Sequence, residues 1–296
     1  MPWMIPSHQA PVLPLKRWRA DWFSGLGLVL GTVAPDLAFV LTLDEGGFPL
    51  SHTLPGLFLV VVPLVLVLHA LATSLVLPWL LPHLPGGAPL HLHALARSRP
   101  ATDPPSVLRV ALSGLVGGAT HIFLDGFTHG DHSGWALALL PVLGRPVPHI
   151  GGPAPLHDAL QLWLTIGLGA LALWDWHRMA SALPPPAPGA AATWEVYPAP
   201  ADACRRVVAS ILAAALLGAV AGPMVKDAVF TPDAPKLAAY GAIAFAMLAA
   251  LLGAATDRAR RVLDRVLLDV GLSLEGSTYG LRSRWSMDRP PRLGLG

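Results

Sequence analysis

Cysteine is all but missing from this chain of 296 residues, with Cys204 the single example. One cysteine excludes an intramolecular disulfide framework and any thiolate-based zinc site. Charge is nearly as scarce: Asp, Glu, Lys and Arg make up 13% of the residues, about half the share a soluble domain carries. The net charge is only +2, and the basic residues form no stripe interleaved with aromatics, which argues against a nucleic-acid partner. Histidine stops early, with none after residue 200. The opening "MPWMIPSHQAPVLPLKRW" lacks the charged start and unbroken apolar stretch of a cleaved secretory signal.

What is abundant is apolar side chain, at 53% of residues with a mean hydropathy of +0.55. A soluble chain of this length cannot hide that much apolar surface in one core. The expected fold is all-α: an integral membrane bundle of five to six spans plus a broken or re-entrant helix. Five segments reach the ~20 apolar residues that a span needs, at 54–81, 107–127, 156–176, 207–226 and 236–256. A sixth, 23–43, is apolar but carries Pro35 and Asp36, so spanning and re-entry both stand open. The Pro/Ala stretch 181–202 cannot stay helical through its proline run. It separates a chemically rich part, 1–180, from two plain spans within 203–257 and a basic helix and tail, 258–296.

Arginines on short loops mark the cytoplasmic side. Arg97 and Arg99, then Arg178, Arg205 and Arg206, then Arg258, Arg260 and Arg261, fall on one side by parity, which places the C-terminus in the cytoplasm. Lys16, Arg17 and Arg19 join them only if 23–43 spans. The expected location is a bacterial inner membrane.

Against this background the stretch "GGATHIFLDGFTHGDHSG", 117–134, stands out. Ionisable groups inside a span are costly and usually face a cavity or a partner. His121 and Asp125 are four residues apart, so they share one helix face, and His129 joins them if the helix continues. Imidazole with carboxylate suits zinc and other first-row divalent metals. It equally suits a hydrogen bond tying two helices together. Three other short stretches carry matching groups: His8 in "IPSHQAP", Asp36 in "APDLAF" and His52 in "LSHTLPG". Each has an ordinary explanation: a surface histidine, a helix cap after Pro35, a residue beside the N-caps Ser51 or Thr53. Together with His121 and Asp125 they are the ligand types that one hard-to-borderline metal ion needs. His69, in mid-span, reads as an interhelical hydrogen-bond partner.

The motifs occur in a recognisable order: Ser7-His8 with Val12-Leu13-Pro14-Leu15, Gly31 with Ala34-Pro35-Asp36, Ser51-His52-Thr53 with Gly56-Leu57-Phe58, Thr120-His121 with Asp125 and Phe127-Thr128-His129, and "PLHDALQ" at 155–161. Over about residues 1–180 this resembles the domain-of-unknown-function 4184 family of bacterial membrane proteins, which is similar to proteins labelled metal-dependent hydrolases. His157 stands where that family's tyrosine is expected. Further off, the order of ligands resembles zinc-dependent phospholipase C and P1-type nucleases. That comparison implies one ion on Asp36, His52, His121 and Asp125, and a second on His8 with Asp125 bridging. The H-x-x-x-E pair of those enzymes does not follow Asp125 here.

The resulting expectation is a membrane-embedded hydrolase holding one or two divalent ions, zinc first, with manganese or iron as alternatives. Its substrate would be a phosphoester or ester of a membrane lipid or lipid-linked molecule. His129 or Asp131, about one turn past the ligand pair, would carry protons. Two alternatives remain: a small transporter with a His/Asp relay, whose polar path should continue across the membrane, and a structural membrane protein with a non-catalytic metal site.

Overall fold

A computed structural model describes residues 7–42, 49–83, 95, 98–130, 134–150, 152–182, 201–225 and 234–269. The helices are α1 Leu13–Trp18, α2 Gly25–Thr42, α3 Leu54–Leu80, α4 Pro104–Thr128, α5 Trp135–Leu139, α6 Leu156–Ser181, α7 Ala201–Val225 and α8 Ala234–Asp269. A short antiparallel pair, Pro146–Val147 with Ala154–Pro155, precedes α6. Helices α3, α4, α6 and Gly241–Leu263 of α8 are long and apolar enough to cross a membrane. The protein is an all-α membrane bundle. Within the segment 23–43, Gly25–Thr42 form one helix, α2, with Pro35 inside it.

Local chemistry sets the helix ends. Asp103 caps α4: its Oδ1 accepts from Ser106 N at 2.9 Å, and its own N–H donates to Ser106 Oγ at 3.3 Å. Pro104 and Pro105 fill the first two positions, where no N–H is needed. The helix therefore starts before the apolar run at 107. It ends at Thr128, and His129 is already extended, so the helix does not continue through His129 as the His121–Asp125 spacing had invited. In α3, π-helical turns at Leu57–Val61 and Ala72–Val76 end two residues before Pro63 and Pro78. A proline ring clashes with the carbonyl four residues back, and a widened turn relieves that clash.

The seam that positions the site lies between α2 and α4. They run parallel: Gly27 meets Ser113, Gly31 meets Gly114, Leu28 meets Gly117, and the Thr32 carbonyl meets His121. Helix α3 runs antiparallel to α4, with Val65 on Gly114 and both Leu57 and Val61 on Gly118. Small residues at such contacts let backbones touch. A Cβ on Gly117 would collide with the Leu28 carbonyl oxygen, a backbone atom that cannot rotate away. Gly117→Ala is therefore expected to cost about 1–3 kcal/mol, read as a lower Tm in detergent.

On the other flank of α2, the N-terminal segment packs on α6, with Ala10 and Leu13 against Ala172. Arg17 Nη1 donates to the buried Asp175 at 2.9 Å. Leu37 of α2 packs on Ile243, Ala244 and Met247 of α8, and Trp79 of α3 meets Gly253. His69 lies 3.5 Å from Ser24 Oγ, the interhelical contact expected of it. Contacts divide the chain into Met1–Ala255 and Thr256–Gly296. The described part of the second unit is helical to Asp269, with Val262, Leu263 and Val266 exposed.

Candidate metal centre

Three elements bring four ligand-type side chains to one point. Helix α2 supplies Asp36 from the turn after Pro35. The 3-10 turn Pro49–His52 supplies His52. Thr53 then caps α3, its Oγ1 accepting from Gly56 N at 3.1 Å, which turns the chain sharply back into the bundle just after His52. Helix α4 supplies His121 and Asp125 one turn apart. Asp36, His121 and Asp125 are buried, and His52 nearly so.

One atom of each residue faces a common centre, all four within 4.8 Å of one another. His121 Nε2 lies 3.0 Å from Asp125 Oδ2, 3.4 Å from Asp36 Oδ1 and 3.3 Å from His52 Nε2. His52 Nε2 lies 3.4 Å from both Asp36 Oδ1 and Asp125 Oδ2. Zinc bonds of about 2.0–2.1 Å give a tetrahedron with edges of about 3.3–3.4 Å. Five of its six edges are close to that length, so the residues suit a roughly tetrahedral ion.

The imidazoles are oriented from behind. His121 Nδ1 donates to the Thr32 carbonyl at 2.7 Å. Because a carbonyl only accepts, this bond places the hydrogen on Nδ1 and turns Nε2 toward the centre. His52 Nδ1 lies 3.0 Å from Ser51 Oγ, which donates to the Pro35 carbonyl at 3.0 Å. With its single hydrogen committed to Pro35, Ser51 Oγ accepts from His52 Nδ1, and Nε2 again faces inward. Two carboxylates and two imidazole nitrogens converging in a buried space call for a compensating positive charge. Burial opposes charge on His52, but hydrogen bonding to Asp125 and Asp36 outweighs it and raises the pKa.

Loss of this orienting layer is testable. Ser51→Ala leaves every ligand in place and is expected to weaken metal affinity about 10–100-fold, measured by chelator competition.

The other candidates lie on the flank. His8 stacks on His121, with ring centroids 4.1 Å apart, and its Nε2 is 3.5 Å from Asp125 Oδ1, the oxygen not used in the tetrahedron. Burial and the neighbouring His121 push the His8 imidazole down to about 3, so it is a neutral, ligand-ready ring. His129 Nδ1 lies 3.7 Å from the same Oδ1 and 3.1 Å from Thr128 Oγ1. Asp131 lies outside the described residues. Sequence reading missed Ser51 and Thr32 as orienting groups. In the sequence Ser51 reads only as a possible cap, a role that Thr53 fills. Thr32 acts through its backbone carbonyl, which any residue type would supply.

The sequence model of the family described as Domain of unknown function (DUF4184) matches residues 1–255. The match runs beyond the stretch that carries the short motifs and takes in α7 and most of α8. No curated protein and no solved structure matches the chain, so the likeness to phospholipase C and P1-type nucleases gains no support there.

Proposed function

The chain belongs to the DUF4184 family, and from that premise and its site we propose that it is a membrane-embedded metal-dependent hydrolase of a phosphoester or ester on a lipid or lipid-linked substrate. The observation that carries this reading is the near-tetrahedral set of Asp36, His52, His121 and Asp125. When bound, an ion there would polarise a phosphoryl or carbonyl oxygen and bring the pKa of a coordinated water toward neutrality. The nitrogen and oxygen donors suit zinc, with manganese or iron also compatible. Asp36, His52, His121 and Asp125 would hold the ion, and the Thr32 carbonyl and Ser51 keep the two imidazoles aligned. His8 with Asp125 Oδ1 provides the beginning of a second ion site. His129, at the less buried edge, is the proton carrier.

Position supports a lipid substrate. The ligands sit at the end of the bundle where α2 and α4 finish. Beside them α5 docks on α4, with the Trp135 indole N–H donating to the Ile122 carbonyl at 3.3 Å. The surface that follows is apolar and open: Leu139 is 72% and Ile150 83% exposed. Such side chains suit the bilayer interface. Lys16, Arg17, Arg109 and Arg178 lie at the other end of the same helices. By the positive-inside rule that end is cytoplasmic in a bacterial inner membrane, and the site faces the opposite leaflet.

The test is hydrolysis of a fluorescent phospholipid in nanodiscs by metal-reconstituted protein. Turnover in wild type and none in His52→Ala supports the reading. A fully metallated wild type with no turnover on phosphodiester or carboxylic-ester lipids overturns it.

A structural metal site is favoured by one observation: four protein side chains converge in a near-tetrahedral set, the ligand number of structural zinc sites. That reading predicts that stripping the metal lowers Tm and that the metallated protein hydrolyses nothing. A transmembrane relay fits the packing less well. The polar group Ser24, His69 and Ser113 lies toward the other end of the bundle. Between it and the site, α2 and α4 are closed together by the backbone contacts at Gly31, Gly114 and Gly117.

A further inference from the structure

Among the described residues, four buried side-chain atoms lack a hydrogen-bond partner: His8 Nδ1, Asp125 Oδ1, His157 Nδ1 and Gln161 Nε2. Such atoms are few in folded proteins, and each calls for an explanation. Here they are not scattered. All four belong to elements that meet around the metal centre. The turn Ser7–Gln9, which carries His8, packs against α2, α4 and α6. The Cε1–Nε2 edge of His157 lies against Gly130, two residues past the end of α4 and next to His129. Gln161 is one turn along α6 from His157, on the same face. Asp158, half exposed, reaches His157 Nδ1 at 3.1 Å, without the alignment of a hydrogen bond.

Three of the four atoms are nitrogens. The Gln161 amide nitrogen can only donate, and the two imidazoles donate from whichever nitrogen carries the hydrogen. His8 donates from Nδ1 when its Nε2, turned to Asp125 at 3.5 Å, serves as a ligand to a cation and leaves the single ring hydrogen on Nδ1. Nitrogens that make no aligned hydrogen bond within the protein, beside a centre built for a cation, suit an anionic ligand with several acceptor oxygens. We propose that His8, His157 and Gln161 form an oxyanion subsite that binds the non-bridging oxygens of a phosphoryl group next to the metal ligands. This deepens the hydrolase reading and rests on it, because it selects the phosphoester over the carboxylic ester. The shared chemistry is a phosphate group, whether it arrives as a lipid headgroup or as free phosphate.

The experiment is calorimetric titration of the full-length protein in nanodiscs with inorganic phosphate and, separately, with short-chain phosphatidic acid. Metal content and Tm are read on the same samples. The variants are Gln161→Leu and His157→Phe, which remove the polar atoms and keep the bulk. Each is expected to weaken phosphate binding about 10–100-fold. Metal content should be unchanged and Tm equal or higher, because replacing a partnerless buried polar group with an apolar one is neutral or stabilising. Tighter binding of phosphatidic acid than of phosphate identifies a headgroup as the ligand, and the reverse identifies free phosphate. The proposal is overturned if wild type binds neither, or if both variants bind like wild type. Loss of metal from wild type would count against the metal reading alone, since the titration reads the subsite separately.

Discussion

Asp125→Ala protein, purified in detergent, is expected to hold less than about one-tenth of the metal that wild type holds, by elemental mass spectrometry. An orienting partner outside the ligand set is worth about 10–100-fold in affinity, and a ligand is worth more. Asp125 is the most exposed to this test because both its oxygens are engaged. Oδ2 forms two of the short edges, at 3.0 Å to His121 and 3.4 Å to His52. Oδ1 faces His8 at 3.5 Å and His129 at 3.7 Å. Asp125→Ala removes one charge and leaves two imidazoles and one carboxylate. His8→Ala separates the roles. It leaves all four atoms of the tetrahedron, so about one equivalent should remain. If wild type holds two, the second should go. A wild type that takes up no zinc, manganese or iron even after reconstitution would end the metal reading and leave His121–Asp125 as a helix tie.

Much of this centre was legible before the structure because ionisable groups in apolar surroundings are conspicuous. Asp36, His52, His121 and Asp125 stand out for the same reason that they are costly. The i, i+4 spacing was enough to place His121 and Asp125 on one face. The convergence of α2, the Pro49–His52 turn and α4 could not be read, because it depends on glycine contacts at Gly31, Gly114 and Gly117 that carry no chemical label. The spans were legible from length and hydropathy, but their ends were not always. The start of α4 at Pro104 rests on a polar cap that hydropathy treats as loop. The 203–255 region looked plain because small apolar residues show that helices pack without showing where. Its contacts with Leu37 and Trp79 emerge only in three dimensions.

Gly56→Ala is expected to lose most of its bound metal although Gly56 touches none of the ligands. The reason lies in the Leu50 carbonyl oxygen. It accepts from Thr53 N at 3.1 Å and from Thr53 Oγ1 at 2.8 Å, which fixes the turn that carries Ser51 and His52. Gly56 lies directly against that oxygen, and a Cβ there would sit far inside van der Waals contact with it. No side chain is available to swing aside, so either the turn or the start of α3 must move. Moving the turn breaks the chain of bonds from His52 through Ser51 to the Pro35 carbonyl and shifts Nε2 out of the tetrahedron. Overpacking of this kind costs about 3 kcal/mol, and the displaced imidazole adds a metal defect to it. Gly167→Ala is the control: its Cβ would meet nothing within 4 Å, on a helix of the same bundle. It should keep wild-type Tm and metal content. If Gly56→Ala melted early yet kept full metal, His52 would be held by something other than the Leu50–Thr53 turn. If it matched wild type in both, the tight packing of Leu50 on Gly56 would have no part in building the site.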